Sequence, residues 1–116
     1  MARYMLILRD DPAKLAHVSP AEMQQIVERY RAWARAQAGR VIPEAGNKLA
    51  DKTGRVLTSQ AGKVSLRDGP FAETKDVIGG YFMVEAPDYD QAVAIARTCP
   101  HVEFDGSIEV RLVESR

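Results

Sequence analysis

Arg67-Asp68-Gly69-Pro70-Phe71-Ala72-Glu73-Thr74-Lys75-Asp76-Val77-Ile78-Gly79-Gly80-Tyr81-Phe82-Met83-Val84-Glu85 is the densest passage of this 116-residue chain. Asp68, Gly69 and Pro70 make a tight-turn signal: Asp bonds the backbone ahead of it, Gly tolerates positive φ, and Pro fixes φ. One aromatic residue, Phe71, follows, and then a polar cluster of Glu73, Thr74, Lys75 and Asp76. The run Gly80 to Glu85 reads as a buried strand. Acid, hydroxyl and amine groups therefore stand on a short loop leading straight into the core, which suits a binding site.

On the N-terminal side of that passage, Arg55-Val56-Leu57-Thr58 and Lys63-Val64-Ser65-Leu66-Arg67 are separated by Ser59, Gln60, Ala61 and Gly62. That spacing predicts a β-hairpin with a short loop. Arg40-Val41-Ile42-Pro43 predicts a short strand broken by proline. Before it, Ser19-Pro20-Ala21-Glu22 is a helix start: a Ser cap, Pro at the first helical position and Glu completing a capping box. Met23, Ile26, Val27, Tyr30, Trp33 and Ala34 then recur at helical spacing, and Gly39 marks the stop. Tyr4-Met5-Leu6-Ile7-Leu8 is apolar at every position, so this strand calls for cover on both faces. Asp10-Asp11-Pro12 ends it.

On the C-terminal side, Asp88 repeats the cap for a second helix whose inner stripe is Ala92, Ile95, Ala96 and Cys99, with Pro100 ending it. The closing strand alternates: Ile108, Val110 and Leu112 face one way, Glu109 and Arg111 the other. The order β-α-β-(hairpin)-β-α-β predicts an α+β, ferredoxin-like domain spanning residues 1–116, with both helices on one face of the sheet. The two-sided apolar strands then ask for a second copy packed sheet to sheet, a two-fold homodimer.

Composition narrows the partners. Sixteen basic and 16 acidic residues give a net charge of +0, without the clustered basic excess of a nucleic-acid binder. No apolar run approaches the ~20 residues of a membrane-spanning helix. Met1-Ala2-Arg3 leads directly into strand-like sequence, and the single cysteine, Cys99, fits a reducing compartment, so the cytoplasm is the expected location. Gly79-Gly80 precedes a strand rather than a helix, so no dinucleotide fingerprint is present. His17 and His101, on separate loops, make a weak metal signal. Neither a cofactor nor a metal is expected.

Asp68-Gly69-Pro70-Phe71, Ala72-Glu73-Thr74-Lys75 and Gly79-Gly80-Tyr81-Phe82 together resemble the signature of the YCII-related (DGPF-domain) family. Ile108-Glu109-Val110-Arg111 is similar to that family's final strand and Tyr4 to Leu8 to its first. The resemblance implies a ferredoxin-like fold pairing into a dimeric α/β barrel. Related barrels include cofactor-free monooxygenases, isomerases and lyases acting on small, often aromatic or anionic, molecules. Some members carry a His early in the first helix with an Asp as acid–base partner; this chain has Glu22 there. Many members are encoded near extracytoplasmic-function sigma factors.

Within that frame Asp68 is either a structural turn residue or a general base, and His101 either a solvent-facing loop histidine or the proton carrier. Glu73, Thr74 and Lys75 form a solvated loop or a substrate-binding one, with Lys75 as a point charge for an anion. Tyr81 or Phe82 faces the barrel interior, where a ring could stack on a ligand. Arg111 points inward, either paired with Glu109 or awaiting a carboxylate, because a buried charge needs a partner. The first functional reading is an acid–base enzyme acting on a small anionic or aromatic metabolite, with Asp68 or His101 moving the proton. The alternative is a non-catalytic ligand-binding or regulatory dimer linked to sigma-factor signalling.

Overall fold

A computed structural model describes residues 1–15, 17–42, 45–51, 53–69 and 77–115. The chain runs β1 (Ala2–Asp10), α1 (Pro20–Ala36), β2 (Asn47–Lys48), β3 (Arg55–Gln60), β4 (Lys63–Asp68), β5 (Val77–Ala86), α2 (Tyr89–Arg97) and β6 (Ser107–Leu112). Short 3-10 helices lie at Pro12–Leu15 and Pro100–Phe104. The main sheet has the order β2-β5-β1-β6 and is antiparallel throughout, while β3 and β4 form a separate hairpin. With the hairpin set aside, this is the ferredoxin-like α+β arrangement.

The centre of the sheet follows from β1. Tyr4, Leu6 and Leu8 share one face and are buried. They stand opposite Val84, Phe82 and Gly80 of β5 and opposite Leu112, Val110 and Ile108 of β6. The helices cover this face with Tyr30, Trp33 and Ala34 from α1 and Ala92, Ile95 and Ala96 from α2. Leu6 and Val84 are wholly buried, each worth about 1.5–3 kcal/mol of apolar burial. The opposite face carries Met5 and Ile7 of β1 beside Met83 and Tyr81 of β5, all four only half-buried within one chain.

Both helix starts form as the sequence predicts. Ser19 Oγ accepts from the Glu22 N–H at 3.1 Å, and Glu22 Oε1 accepts from the Ser19 N–H at 3.4 Å. Asp88 Oδ1 accepts from the Gln91 N–H at 2.8 Å. Trp33 anchors α1 by donating its indole N–H to Thr98 Oγ1 at 2.8 Å, just past the end of α2.

Three expectations are corrected. Of the strand expected at residues 40–43, the described part, Arg40 to Ile42, makes one bridge, Val41 to Val84, flanked by hydrogen bonds from Glu85 N to Arg40 O and from Ile42 N to Met83 O; Pro43 lies outside the described residues. The edge strand proper comes later, at Asn47–Lys48. Gly46 permits this approach, because a Cβ there would stand 2.7 Å from Tyr81 O. The hairpin loop has two residues instead of four, because Ala61 and Gly62 adopt φ of 53° and 80°, the left-handed pair of a type I′ turn. His101 is not on an exposed loop: it lies in the Pro100–Phe104 3-10 helix and is 3% exposed. Among the described residues, no helix is long and apolar enough to cross a membrane.

Replacing Ser19 by Ala removes the N-cap acceptor of α1. Equilibrium urea unfolding of Ser19→Ala should show a loss of about 1 kcal/mol, with the midpoint shifted and the slope unchanged.

Candidate functional site

The covered-face series Tyr4, Leu6, Leu8 continues in phase to Asp10, so a carboxylate ends an otherwise apolar row. The register with β5 shifts at this point: Leu8 faces Gly80 but Arg9 faces Ile78, which leaves Gly79 as the extra residue of a bulge. A Cβ at Gly79 would lie 2.9 Å from Asp10 Oδ2, so glycine makes room for the carboxylate beside the strand.

Asp10 opens into a cavity of about 320 Å³ between α1, the Pro100–Phe104 helix and the covered face of the sheet. Its apolar wall comes from Leu8, Ile26, Val27, Tyr30, Phe82 and Phe104. Tyr30 stacks on Phe82 with centroids 6.4 Å apart and meets Phe104 at 6.3 Å. Charged residues (Asp11, Lys14, Arg31, Lys48 and Asp51) stand around the apolar wall. An ion pair between Arg29 and Glu103, with the Arg29 guanidinium 5.2 Å from the Phe104 ring centroid, fastens the 3-10 helix to α1.

His101 lies at the inner wall with both ring nitrogens engaged. Nε2 is 2.7 Å from Arg9 O, and Nδ1 is 2.9 Å from the Tyr30 hydroxyl. A carbonyl only accepts, so Nε2 carries the proton and donates; in the neutral ring Nδ1 then accepts from Tyr30 O–H. The ring fits because residue 106 is glycine: a Cβ there would come within 2.2 Å of Nε2. His101 therefore holds the backbone of Arg9, the residue that precedes Asp10.

Burial raises the Asp10 carboxyl above its ordinary range; His101 and Lys48 pull it down, and Asp51 and Asp11 push it further up. Burial also raises the Tyr30 phenol, with Cys99 and Asp10 adding to the effect, so Tyr30 serves as a hydrogen-bond donor rather than a ready acid. Burial pushes the Cys99 thiol up to about 11, which makes it a protonated core residue. Among the described residues, no group of three His, Cys, Asp or Glu side chains could hold a metal ion.

The residues singled out from the sequence are dispersed. His101 and Tyr81 line the cavity; strand alternation puts the Tyr81 side chain on the open face, where its hydroxyl lies 3.4 Å from Asn47 Nδ2. Asp68 does not line it: it ends the hairpin, largely exposed, 3.4 Å from Arg55 Nη1. Arg111 lies on the open face of the sheet, donating to Glu109 Oε2 at 3.1 Å, while Arg9 Nε donates to Glu109 Oε1 at 3.2 Å. These hydrogen bonds, Arg111's first, hold the Glu109 carboxyl below its ordinary range. Glu73, Thr74 and Lys75 lie outside the described residues. His17 is exposed and lines no part of the cavity. Asp10 and Tyr30 carry little sequence signal, because the first has the pattern of a strand end and the second that of a core residue. The signal for Asp10 was its phase with Tyr4, Leu6 and Leu8.

The YCII-related domain family model matches residues 2–115, and the chain belongs to that family. An uncharacterized protein of Rhizobium meliloti (strain 1021) is 30% identical over 112 residues, covering 93% of this chain and 89% of the relative. Among solved structures, the chain is similar to 5-chloro-2-hydroxyhydroquinone dehydrochlorinase from Burkholderia phenoliruptrix AC1100, in complex with 2,5-dihydroxybenzoquinone. That match has 15% identity and a TM-score of 0.48, over 97% of this chain and 95% of the other.

Asp10 has a folded-state pKa above its unfolded value, so its stabilising form is the protonated one. That contribution is complete below the unfolded-state value and is lost as pH rises through the folded one. Asp10→Asn should therefore melt above the parent at neutral pH, with the gap closing in acid; thermal melts across pH check it. Gly106→Ala should destabilise by about 1–3 kcal/mol through overpacking against the imidazole, read by urea unfolding.

Proposed function

We propose that this member of the YCII-related family is an acid–base enzyme acting on a small aromatic or anionic molecule in the cavity beneath α1. The observation that carries the reading is Asp10: a half-buried carboxylate with no side-chain hydrogen bond among the described residues, facing an apolar cavity large enough for one substituted ring. Such a group is a proton acceptor with a raised affinity for the proton, the property a general base or acid needs near neutral pH. Asp10 takes a proton from a ligand O–H or activated C–H, becomes the neutral acid, and returns the proton to the same or a neighbouring atom. The proton thus stays within the pair, and the step needs no group that the chain does not supply.

In this reading His101 keeps a place in the site but changes task. Its two nitrogens are committed to Arg9 O and Tyr30, so it fixes the geometry of Asp10 instead of carrying the proton. Asp68 belongs to the hairpin and Arg111 to the open face. The half-buried Met5, Ile7, Tyr81 and Met83 on that face support a homodimer packed sheet to sheet.

The test follows deuterium exchange by proton NMR for a panel of phenols and cyclic enolisable carbonyls in heavy water. The folded parent should accelerate exchange for at least one of them, and Asp10→Asn should lose at least ~10²-fold of that acceleration. Exchange undiminished in Asp10→Asn, or a panel that disturbs no cavity resonance, contradicts the reading. Light scattering after gel filtration should give twice the chain mass for the parent and the single-chain mass for Ile7→Glu; a monomeric parent contradicts the dimer.

A further inference from the structure

The polar groups around the cavity divide into those spent within the chain and those left over. Lys48 Nζ donates to Leu49 O at 2.9 Å and to Asp51 Oδ1 at 3.1 Å. Arg31 is paired with Glu28 at 3.0 Å. Asp11 Oδ1 accepts from the Ala13 N–H at 3.0 Å, and His101 has no free nitrogen. Among the described residues, only two charged side chains of the lining make no side-chain hydrogen bond or ion pair: Asp10, half-buried in the wall, and Lys14, exposed at the rim.

Those two groups ask for different things. A carboxylate set in an apolar wall wants a donor, and leaving it unmatched is costly when a ligand displaces its water. An ammonium at the rim wants an anion. The wall they share is aromatic, through Tyr30, Phe82 and Phe104. A ligand ammonium would answer Asp10 but leave Lys14 without an anion. An O–H donor that also carries a carboxylate answers both groups.

We infer that the cavity takes a hydroxylated aromatic carboxylate: ring against Tyr30, Phe82 and Phe104, hydroxyl donating to Asp10, carboxylate paired with Lys14. This rests on the reading of the cavity as a ligand site and adds the two-ended character of the ligand. The roles divide accordingly, with Asp10 at the reacting end and Lys14 setting which molecules are held.

The experiment is a binding titration by calorimetry, with NMR shifts of the cavity methyl groups as a second readout. The probes are 3-hydroxybenzoate, 4-hydroxybenzoate, benzoate and phenol, against the parent chain, Lys14→Met and Lys63→Met. Lys63 sits at the hairpin turn and does not line this cavity, so it controls for loss of general positive charge. At least one hydroxybenzoate should bind about tenfold tighter than phenol, through its carboxylate on Lys14, and about tenfold tighter than benzoate, through its hydroxyl on Asp10, each being one added hydrogen bond to a charged group. Lys14→Met should remove the advantage over phenol, keep the advantage over benzoate and leave phenol unchanged, while Lys63→Met should match the parent. Phenol binding as tightly as both hydroxybenzoates, or equal losses in Lys14→Met and Lys63→Met, overturns the two-ended ligand while leaving a cavity that binds rings. Failure of every probe to move a cavity resonance overturns both.

Discussion

A buried imidazole ties three separate parts of this chain together. His101 comes from the 3-10 helix after α2, donates from Nε2 to the carbonyl of Arg9 near the end of β1, and faces the Tyr30 hydroxyl on α1 through Nδ1. It is the single polar side chain in the buried set of the described residues. A ring in that position with either nitrogen unmatched would cost the fold about 1–3 kcal/mol, so the three elements can meet only where the geometry satisfies both. Gly106 supplies the remaining condition by leaving the space that the ring fills.

The functional consequences descend from that tie. With Arg9 held at its carbonyl, the next residue, Asp10, is delivered in phase with Leu8 to the covered face and rests beside the Gly79 bulge. With Tyr30 held at its hydroxyl, its ring is presented to Phe82 and Phe104 as cavity wall. One satisfied histidine thus produces one unsatisfied aspartate. On the opposite face Glu109 accepts from both Arg9 and Arg111, and Arg3 pairs with Glu85. That leaves the half-buried Met5, Ile7, Tyr81 and Met83 as the uncovered patch of the sheet, on the side away from the cavity.

How much of this was legible depended on how local each cause is. The caps at Ser19 and Asp88 and the stripe ending at Cys99 involve neighbours within a turn or two, and all formed as read. The alternation in β6 likewise placed Ile108 and Val110 on the core. The edge strand was displaced to Asn47–Lys48 because Gly46 tolerates a close approach to Tyr81 that strand propensity cannot express. The fate of His101 depended on partners 71 and 92 residues away. Asp10 was the one long-range feature with a local trace, since it completes an i, i+2 series that should otherwise stay apolar. The loop containing Glu73, Thr74 and Lys75, on which the first functional reading leaned, lies outside the described residues.

The tie at His101 is open to direct observation by long-range nitrogen–proton NMR of its ring at about pH 8.5, some two units above the ordinary imidazole range. That tie requires the Nε2–H tautomer, with a slowly exchanging ring proton close to the β1 backbone and a bare Nδ1 that accepts from Tyr30. A ring protonated at Nδ1, or one averaging freely between the two tautomers, would contradict it and remove the constraint that sets Asp10 in place.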